Sequence, residues 1–553
     1  MSSEYTFDLG TYHRPVSSSN ATCQVWFDRG LIWAYSFNHE EAASCFEKAI
    51  ESDSKCAMAY WGLAYCIGPN YNKPWGFFDD KELAAVVGRG YRAAKVAGAN
   101  LSGVGDVERA LIKAVQHRYP TGEAPSEGKT CEDWNLSFAV AMEDVYNDFP
   151  NDLDVITIYV DAVMNLNPWN MWDLETGNPV EGARTIEMKR VLDSALKLDS
   201  ALKHPGLLHL YIHLMEMSPT PEAALPIADH LRGLVPDGGH LNHMPTHLDV
   251  LCGQYDQAIK WNSRAIEADE KYLAKAGPLN FYTLYRAHDY HFRVYAAMFA
   301  GQFKVALDTA QRLEASLPKA LLQVKSPPMA DWMEAFLTLR AHVLIRFGRW
   351  DDLINLSLPD DPELYSMTTA ILHYAKGVAF AATGRVSEAK SQQQFFTQAT
   401  SRVQPSRTLF NNKCSDILKV AQSMLDGELE YRLGNIDTAY KHLREAIRHE
   451  DNLPYDEPWG WMQPSRHAYG ALLLEQNHIT LALEVYMSDL GMTDTLPRAL
   501  RHENNVWALH GAHECLTKLD RTAEANQVGT KLAAALKIAD VPVKSSCFCR
   551  TCL

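Results

Sequence analysis

Along much of the chain a turn residue is followed five positions later by a small or apolar one. The pairing recurs as Phe37/Ala42, Gly253/Ala258, Gly301/Ala306, Gly348/Leu353, Gly384/Ala389, Gly434/Ala439, Asn477/Ala482 and Asp520/Ala525. Behind several of these positions further apolar residues return four and seven residues on: Phe46 and Ala49 after Ala42, Ala310 and Leu313 after Ala306, Leu443 and Ala446 after Ala439. Spacings of four and seven put side chains on one helix face, so each turn predicts the start of a helix with one buried side. A proline stands twelve residues beyond the small residue in two units, Pro236 after Ala224 and Pro318 after Ala306, where it stops that helix. The recurrence predicts helix pairs repeated along the chain, each burying its apolar face by stacking on its neighbours. Two stretches break the rhythm. Residues 68–76 and 166–179 are rich in Gly, Pro, Asn and Trp, which predicts aromatic-packed loops, either bordering a site or simply connecting helices.

The Ala-x3-Phe-x2-Ala…Pro spacing resembles the second helix of a tetratricopeptide repeat, although the units are mostly longer than the standard one. The expected fold is all-α, a right-handed superhelical solenoid of divergent tetratricopeptide-like helix hairpins over residues 23–540. An N-terminal arm, 1–22, precedes it, and a Cys-rich flexible tail, 541–553, follows.

Composition narrows the partners. Apolar residues make up 47% and charged residues 22% of the 553, and no apolar run has the length of a bilayer span. The formal charge is −16 and no basic stripe stands out, so neither membrane nor nucleic acid is an expected partner. The first twenty residues lack an apolar core flanked by positive charge, so a cytoplasmic location is expected. Cysteines such as Cys45, Cys56, Cys66 and Cys252 fall inside helical apolar patterns and read as reduced thiols. The tail differs: Cys547, Cys549 and Cys552 are soft thiolates that could take up Cu(I) or zinc, with a redox-exposed or merely disordered tail as the alternative. Arg550 stands where a prenylated cysteine would have to be.

The whole chain resembles a group of microbial tetratricopeptide-domain proteins that largely lack an assigned activity. The resemblance rests on Phe37-Asn-His-Glu-Glu-Ala42, Ala59-Tyr-Trp-Gly62 with Gly68-Pro-Asn-Tyr-Asn72, Met164-Asn-Leu…Pro168-Trp169, His209-x-Tyr-Ile-His213-x-x-Glu216, Gly239-His-Leu-x-His-Met-Pro-x-His247, His288-x-x-His291 and Glu457-Pro-x5-Pro464-x-Arg466. It implies the fold and a set of suspect residues but no reaction. Asn170 departs from it, since an acidic residue is expected after Pro-Trp.

Counting back fifteen residues from Ala224, Ala258 and Ala306 reaches His209, His243 and His291. Counting back eleven from the first two reaches His213 and His247, and counting back eighteen from the last two reaches His240 and His288. The resemblance places these offsets on the groove-facing side of the first helices. His209, His213 and Glu216 follow i, i+4, i+7 and His240, His243 and His247 follow i, i+3, i+7, so each triplet shares a face. A His-x3-His pair offers two neutral nitrogens to one ion, and imidazole suits copper, zinc, iron and nickel. His209, His213, His243, His247, His288 and His291 are therefore the candidate metal ligands, as an alternative to a polar groove without metal. All-nitrogen ligation points to copper, and inclusion of Glu216 would point to iron, manganese or zinc. Glu216 is either ligand, general base or a histidine's partner. His39, Tyr285 and Arg466 are further candidates at the site, with a helix start, core packing and an ion pair to Glu457 as their structural alternatives.

Phosphate loops, dinucleotide fingerprints, nucleophile elbows and His-Glu-x-x-His pairs are absent from the sequence. The expected function is a metal-dependent oxidoreductase acting on a small molecule in the groove. The competing readings are a metal-dependent hydrolase or lyase, and an adaptor that binds a protein segment.

Overall fold

The computed structural model describes residues 5–125 and 131–550. Helices account for nearly all regular structure, and the strands among the described residues are a two-residue ribbon pairing Thr408–Leu409 with Asn412–Lys413. No helix among them is long and apolar enough to cross a membrane. The chain forms two compact units: residues up to Leu248 together with Arg264–Tyr282, and Asp249–Ser263 together with Thr283 onward.

Both units are built from antiparallel helix hairpins. In the first unit Ala21–Tyr35 packs on His39–Ser52, Ala57–Cys66 on Asp80–Ala99, Glu132–Asp148 on Leu153–Met164, and Pro205–Glu216 on Leu225–Leu231. In the second the pairs are Thr283–Phe299 with Phe303–Ser316, Ser366–Ala382 with Val386–Thr400, Cys414–Arg432 with Ile436–Asp451, Ser465–Glu475 with Ile479–Asp489, and Val506–Lys518 with Thr522–Leu536.

The turns explain the sequence spacing. Phe37, Gly253, Gly301, Gly348, Gly384, Gly434, Asn477 and Asp520 all have positive φ, the left-handed conformation that ends a helix. The next residue's N–H reaches back to the carbonyl four before the turn residue, as in Gln302 to Ala297 (2.8 Å), Arg385 to Phe380 (2.8 Å) and Asn435 to Glu430 (3.0 Å). Four residues later the small residue's N–H makes the first bond of the second helix, as Ala306 to Gln302 does at 3.0 Å. Ala42, Ala258, Ala306, Leu353, Ala389, Ala439, Ala482 and Ala525 are all buried. The small residue lets the two helices close on each other immediately beyond the reversal. The tetratricopeptide-like hairpins inferred from spacing are thus present, and at these eight turns a six-residue hydrogen-bonded cap ends the first helix.

The two helices of a pair differ in burial. Ile436–Asp451 buries one side, through Ala439, Tyr440, Leu443 and Ala446. Pro205–Glu216 is buried at all twelve positions. A polar side chain on such a helix must find a partner within the protein, because an unpaired buried polar group costs about 1–3 kcal/mol. The approach is close enough that a Cβ on Gly206 would meet the Tyr35 ring at 2.7 Å and the Thr157 methyl at 2.8 Å.

The expected flexible tail is docked as far as Arg550. The Ser546 hydroxyl donates to the His467 carbonyl at 2.8 Å, Phe548 meets Trp507 edge-on at 6.0 Å, and Arg550 forks onto Glu514 at 2.8 and 3.0 Å. Cys547 and Cys549 are joined in a disulfide, so they are not the free thiolates expected there; Cys552 lies outside the described residues. Of the thiols expected to be buried, Cys45, Cys56 and Cys66 are, whereas Cys252 is half-buried. The N-terminal arm also packs: Arg14 bridges Asp152 and Asp154 at 2.8 and 2.5 Å.

Candidate metal centre

In the first unit the helix Pro205–Glu216 is set in place from its first turn. His204 caps it, its Nδ1 accepting from the Leu207 N–H at 3.0 Å, and Pro205 follows at the first helical position. Because Nδ1 accepts, Nε2 carries the proton and donates to Asp154 at 3.2 Å. Asp154 also receives the hydroxyls of Tyr12 (2.7 Å) and Tyr35 (2.5 Å) and the Arg14 guanidinium. Burial opposes its ionisation, but Arg14, His204 and Tyr35 outweigh burial and hold the carboxyl well below the usual range. The Tyr35 carbonyl in turn takes the Nδ1–H of His209 at 2.7 Å.

The cluster lies along this helix and the chain from Gly239 to His247. His209, His213, His240, His243, His247 and Glu216 are each at most 2% exposed. The second triplet does not share one helix: Pro245 divides the segment into Gly239–His243 and Pro245–Leu251. Its imidazoles converge all the same. Neighbouring ring centres lie 4.7–6.2 Å apart, running through His209–His240 (4.9 Å), His240–His243 (5.8 Å), His243–His247 (4.7 Å) and His213–His247 (6.0 Å). Donor atoms of His209, His213 and His240 all lie within 4.8 Å of one another, as do those of His213, Glu216 and His247.

Hydrogen bonds on the far side of the rings decide what faces inward. Glu216 Oε1 takes the Nδ1–H of His213 at 2.9 Å, and Oε2 takes that of His247 at a shorter distance. With Nδ1 protonated on His209, His213 and His247, each ring presents Nε2 as its coordinating atom, the arrangement that orients histidine on metals. His213 Nε2 is buried and has no hydrogen-bond partner. His209 Nε2 is 3.1 Å from His240 Nε2, and metal–nitrogen bonds of about 2.0–2.1 Å place adjacent ligand nitrogens roughly that far apart. His243 Nε2 approaches His247 Nε2 at 2.7 Å. Burial keeps two of the rings neutral, holding His213 down at about 3 and His209 well below the ordinary value, where its histidine neighbours lower it further.

Aromatic rings close the cluster. Phe37, at the first turn, lies 4.4 Å from His209 and stacks on His240 (5.4 Å) and His213 (5.9 Å). Tyr71, in the 68–76 loop, lies 4.7 Å from His213, and its hydroxyl accepts from the Trp169 N–H at 2.9 Å. Trp172 donates to the Leu214 carbonyl at 2.6 Å. Both Trp- and Pro-rich loops therefore border the cluster. Beyond Phe37 is a cavity of about 190 Å³ lined by Asn38, His39, Asn70, Lys73 and Phe281 among others. His39 faces that cavity, kept neutral at about 3 by burial and by the charges of Arg118 and Lys73. Asn170 is exposed.

Tyr285, His288, His291 and Arg466 belong to the second unit. Tyr285 is buried, and His288 meets Phe292 and Phe410 edge-on at 5.6 and 4.7 Å. His291 contacts Met462. Arg466, at the start of Ser465–Glu475, forks onto Asp451, at the end of Ile436–Asp451, at 2.6 Å to each oxygen, where an ion pair with Glu457 was expected. Sequence reasoning missed Asp154, Tyr35, Phe37 and Tyr71. A signal for Asp154 was present: it and Asp161 are seven apart in an otherwise apolar helix, Leu153–Met164, where carboxylates need built partners.

No protein-family model and no curated protein matches the chain. Similar solved structures include the APC/C hetero-tetramer Cut9–Hcn1 (12% identity over 89% of this chain and 76% of that one, TM-score 0.31). Others are the human IFIT1 dimer with m7Gppp-AAAA (11%, 95% and 91%, 0.32) and yeast Tom70 (11%, 95% and 100%, 0.31). The fold assignment rests on the hairpins and their caps: this is an all-α protein of tetratricopeptide-like helix pairs, with a buried histidine cluster in its first unit.

Proposed function

We propose that the first unit binds a transition-metal ion in the histidine cluster and uses it in oxidoreductase chemistry on a small molecule admitted through the adjoining cavity. The observation that carries this reading is the convergence of His209, His213 and His240 donor atoms within 4.8 Å while Tyr35 and Glu216 hold the Nδ1 protons outward. The nitrogen-rich set favours copper, with iron or zinc as the next candidates. Both oxygens of Glu216 are engaged by imidazoles, so its role is to orient ligands, and it is poorly placed as the general base a hydrolase or lyase would need. His39 and Lys73, in the cavity wall, are the groups available to a polar substrate.

The histidine cluster of protein purified without chelator is expected to hold about one equivalent of metal, and His213→Ala with His247→Ala to lose that equivalent with an unchanged helical spectrum. Less than roughly a tenth of an equivalent of every transition metal, with none rebound on addition, would overturn the proposal. The helix-hairpin scaffold itself supports a second reading, an adaptor for a protein segment, because stacked helical repeats expose extended binding surfaces. A stoichiometric partner that binds metal-free protein and the double variant alike would favour it.

A further inference from the structure

The second unit contains buried donors that the first cluster does not use. His291 lies on Thr283–Phe299, His342 on Leu339–Arg346, and Trp461 and Met462 in the segment between Ile436–Asp451 and Ser465–Glu475. All four are at most 2% exposed. His291 Nε2 is 2.8 Å from Met462 Sδ. Trp461, next to Met462 in the chain, meets His342 edge-on at 5.1 Å. Phe336 meets His291 edge-on at 5.5 Å and Phe410 stacks on it at 6.2 Å, completing an aromatic wall.

Three polar atoms here have no hydrogen-bond partner: His291 Nδ1, His342 Nδ1 and Trp461 Nε1. Buried polar groups are nearly always paired, so two imidazole nitrogens left without partners beside a His–thioether contact point to something the protein binds; Trp461 Nε1, a donor only, belongs to the wall and not to the ligands. The donors are two imidazoles and a thioether, and none carries charge. Both rings are buried, and His342 is close enough to His291 to act on it electrostatically. A divalent ion would bring two uncompensated charges into an aromatic-lined interior, whereas a soft monovalent ion brings one and is the ion that thioether sulfur prefers.

We infer that His291, His342 and Met462 form a Cu(I) site in the second unit. It is independent of the histidine cluster of the first unit and differs from it in having a sulfur ligand and no carboxylate behind its imidazoles.

The test is anaerobic Cu(I) titration of the full chain against a competing chromophoric chelator, with X-ray absorption on the copper-loaded protein. The His213→Ala, His247→Ala background removes the first cluster and is expected to retain about one equivalent of Cu(I) with a sulfur neighbour. Adding Met462→Leu, a nearly volume-conserving change, is expected to weaken that binding at least about tenfold and to remove the sulfur signal. If the background variant fails to fold, Met462→Leu in the wild-type chain reads the same loss of sulfur. Copper without a sulfur neighbour, or Cu(I) affinity within about twofold of the parent after Met462→Leu, overturns the inference, as does failure of any folded form to bind Cu(I).

Discussion

At the scale of single residues, Glu216 sets the orientation of the cluster. It ends a helix that is buried throughout, and its two oxygens each receive one imidazole Nδ1–H. An amide in its place keeps the shape but offers one acceptor and one N–H, so either His213 or His247 must change tautomer or lose its bond. Glu216→Gln should therefore lower metal affinity by about 10–100-fold in a chelator competition while leaving the helical spectrum intact. Affinity within about twofold of wild type would mean that Glu216 does not orient the ligands. His213 shows the complementary property: its Nε2, fully buried and unpartnered, makes sense as a site held ready for an ion.

At the scale of elements, the position of Pro205–Glu216 against its neighbours decides whether the histidines meet. The helix is pinned at its start by the His204 cap and Asp154, and drawn against Ala21–Tyr35 at Gly206. That approach brings the Tyr35 carbonyl to His209. A methyl group on Gly206 would overlap the Tyr35 ring and the Thr157 methyl. Gly206→Ala is expected to cost about 1–3 kcal/mol by overpacking, visible as a lower Tm, and to weaken metal binding by displacing the Tyr35 carbonyl. An unchanged Tm together with unchanged affinity would show that the helices separate without consequence. The equivalent element across the cluster is interrupted at Pro245, and the short helix before it starts at Gly239, where a Cβ would collide with Asp269 Oδ1 at 1.9 Å.

At the scale of the molecule, both units keep histidines neutral in their interiors. Burial is the main cause for His39, His209 and His213 in the first unit and for His291, His342 and His467 in the second. Each folded-state pKa lies below the unfolded value, so each group contributes stability that is fully present above about pH 6.5 and is lost as the pH falls through its folded value, about 3 for His213 and about 4 for His342. Asp154, also depressed, adds a loss at still lower pH. Metal-free protein should accordingly unfold on acidification from neutrality towards pH 4, followed by circular dichroism, with added metal shifting the transition to lower pH. A helical signal and Tm constant down to pH 4 would contradict the burial of these rings.

The hairpins were legible in the sequence because their cause is local. A left-handed residue ends one helix, a six-residue cap follows, and the small residue five positions on must be buried, so fixed spacing survives even where Phe37, Asn477 and Asp520 replace glycine. The histidine faces were legible for the same reason, since 3.6 residues per turn bring i, i+4 and i+7 together. The sequence by itself thus determined an all-α repeat with histidines at matching positions. Tertiary structure alone decided that five of those imidazoles meet in the first unit, that Glu216 orients them, and that His291 faces Met462 in the second. It also decided that Asp154 and Tyr35, remote in sequence, hold the first helix of the site. Those outcomes depend on how closely non-neighbouring helices approach and on which buried donor finds which acceptor, and neither is written in the periodicity of any one segment.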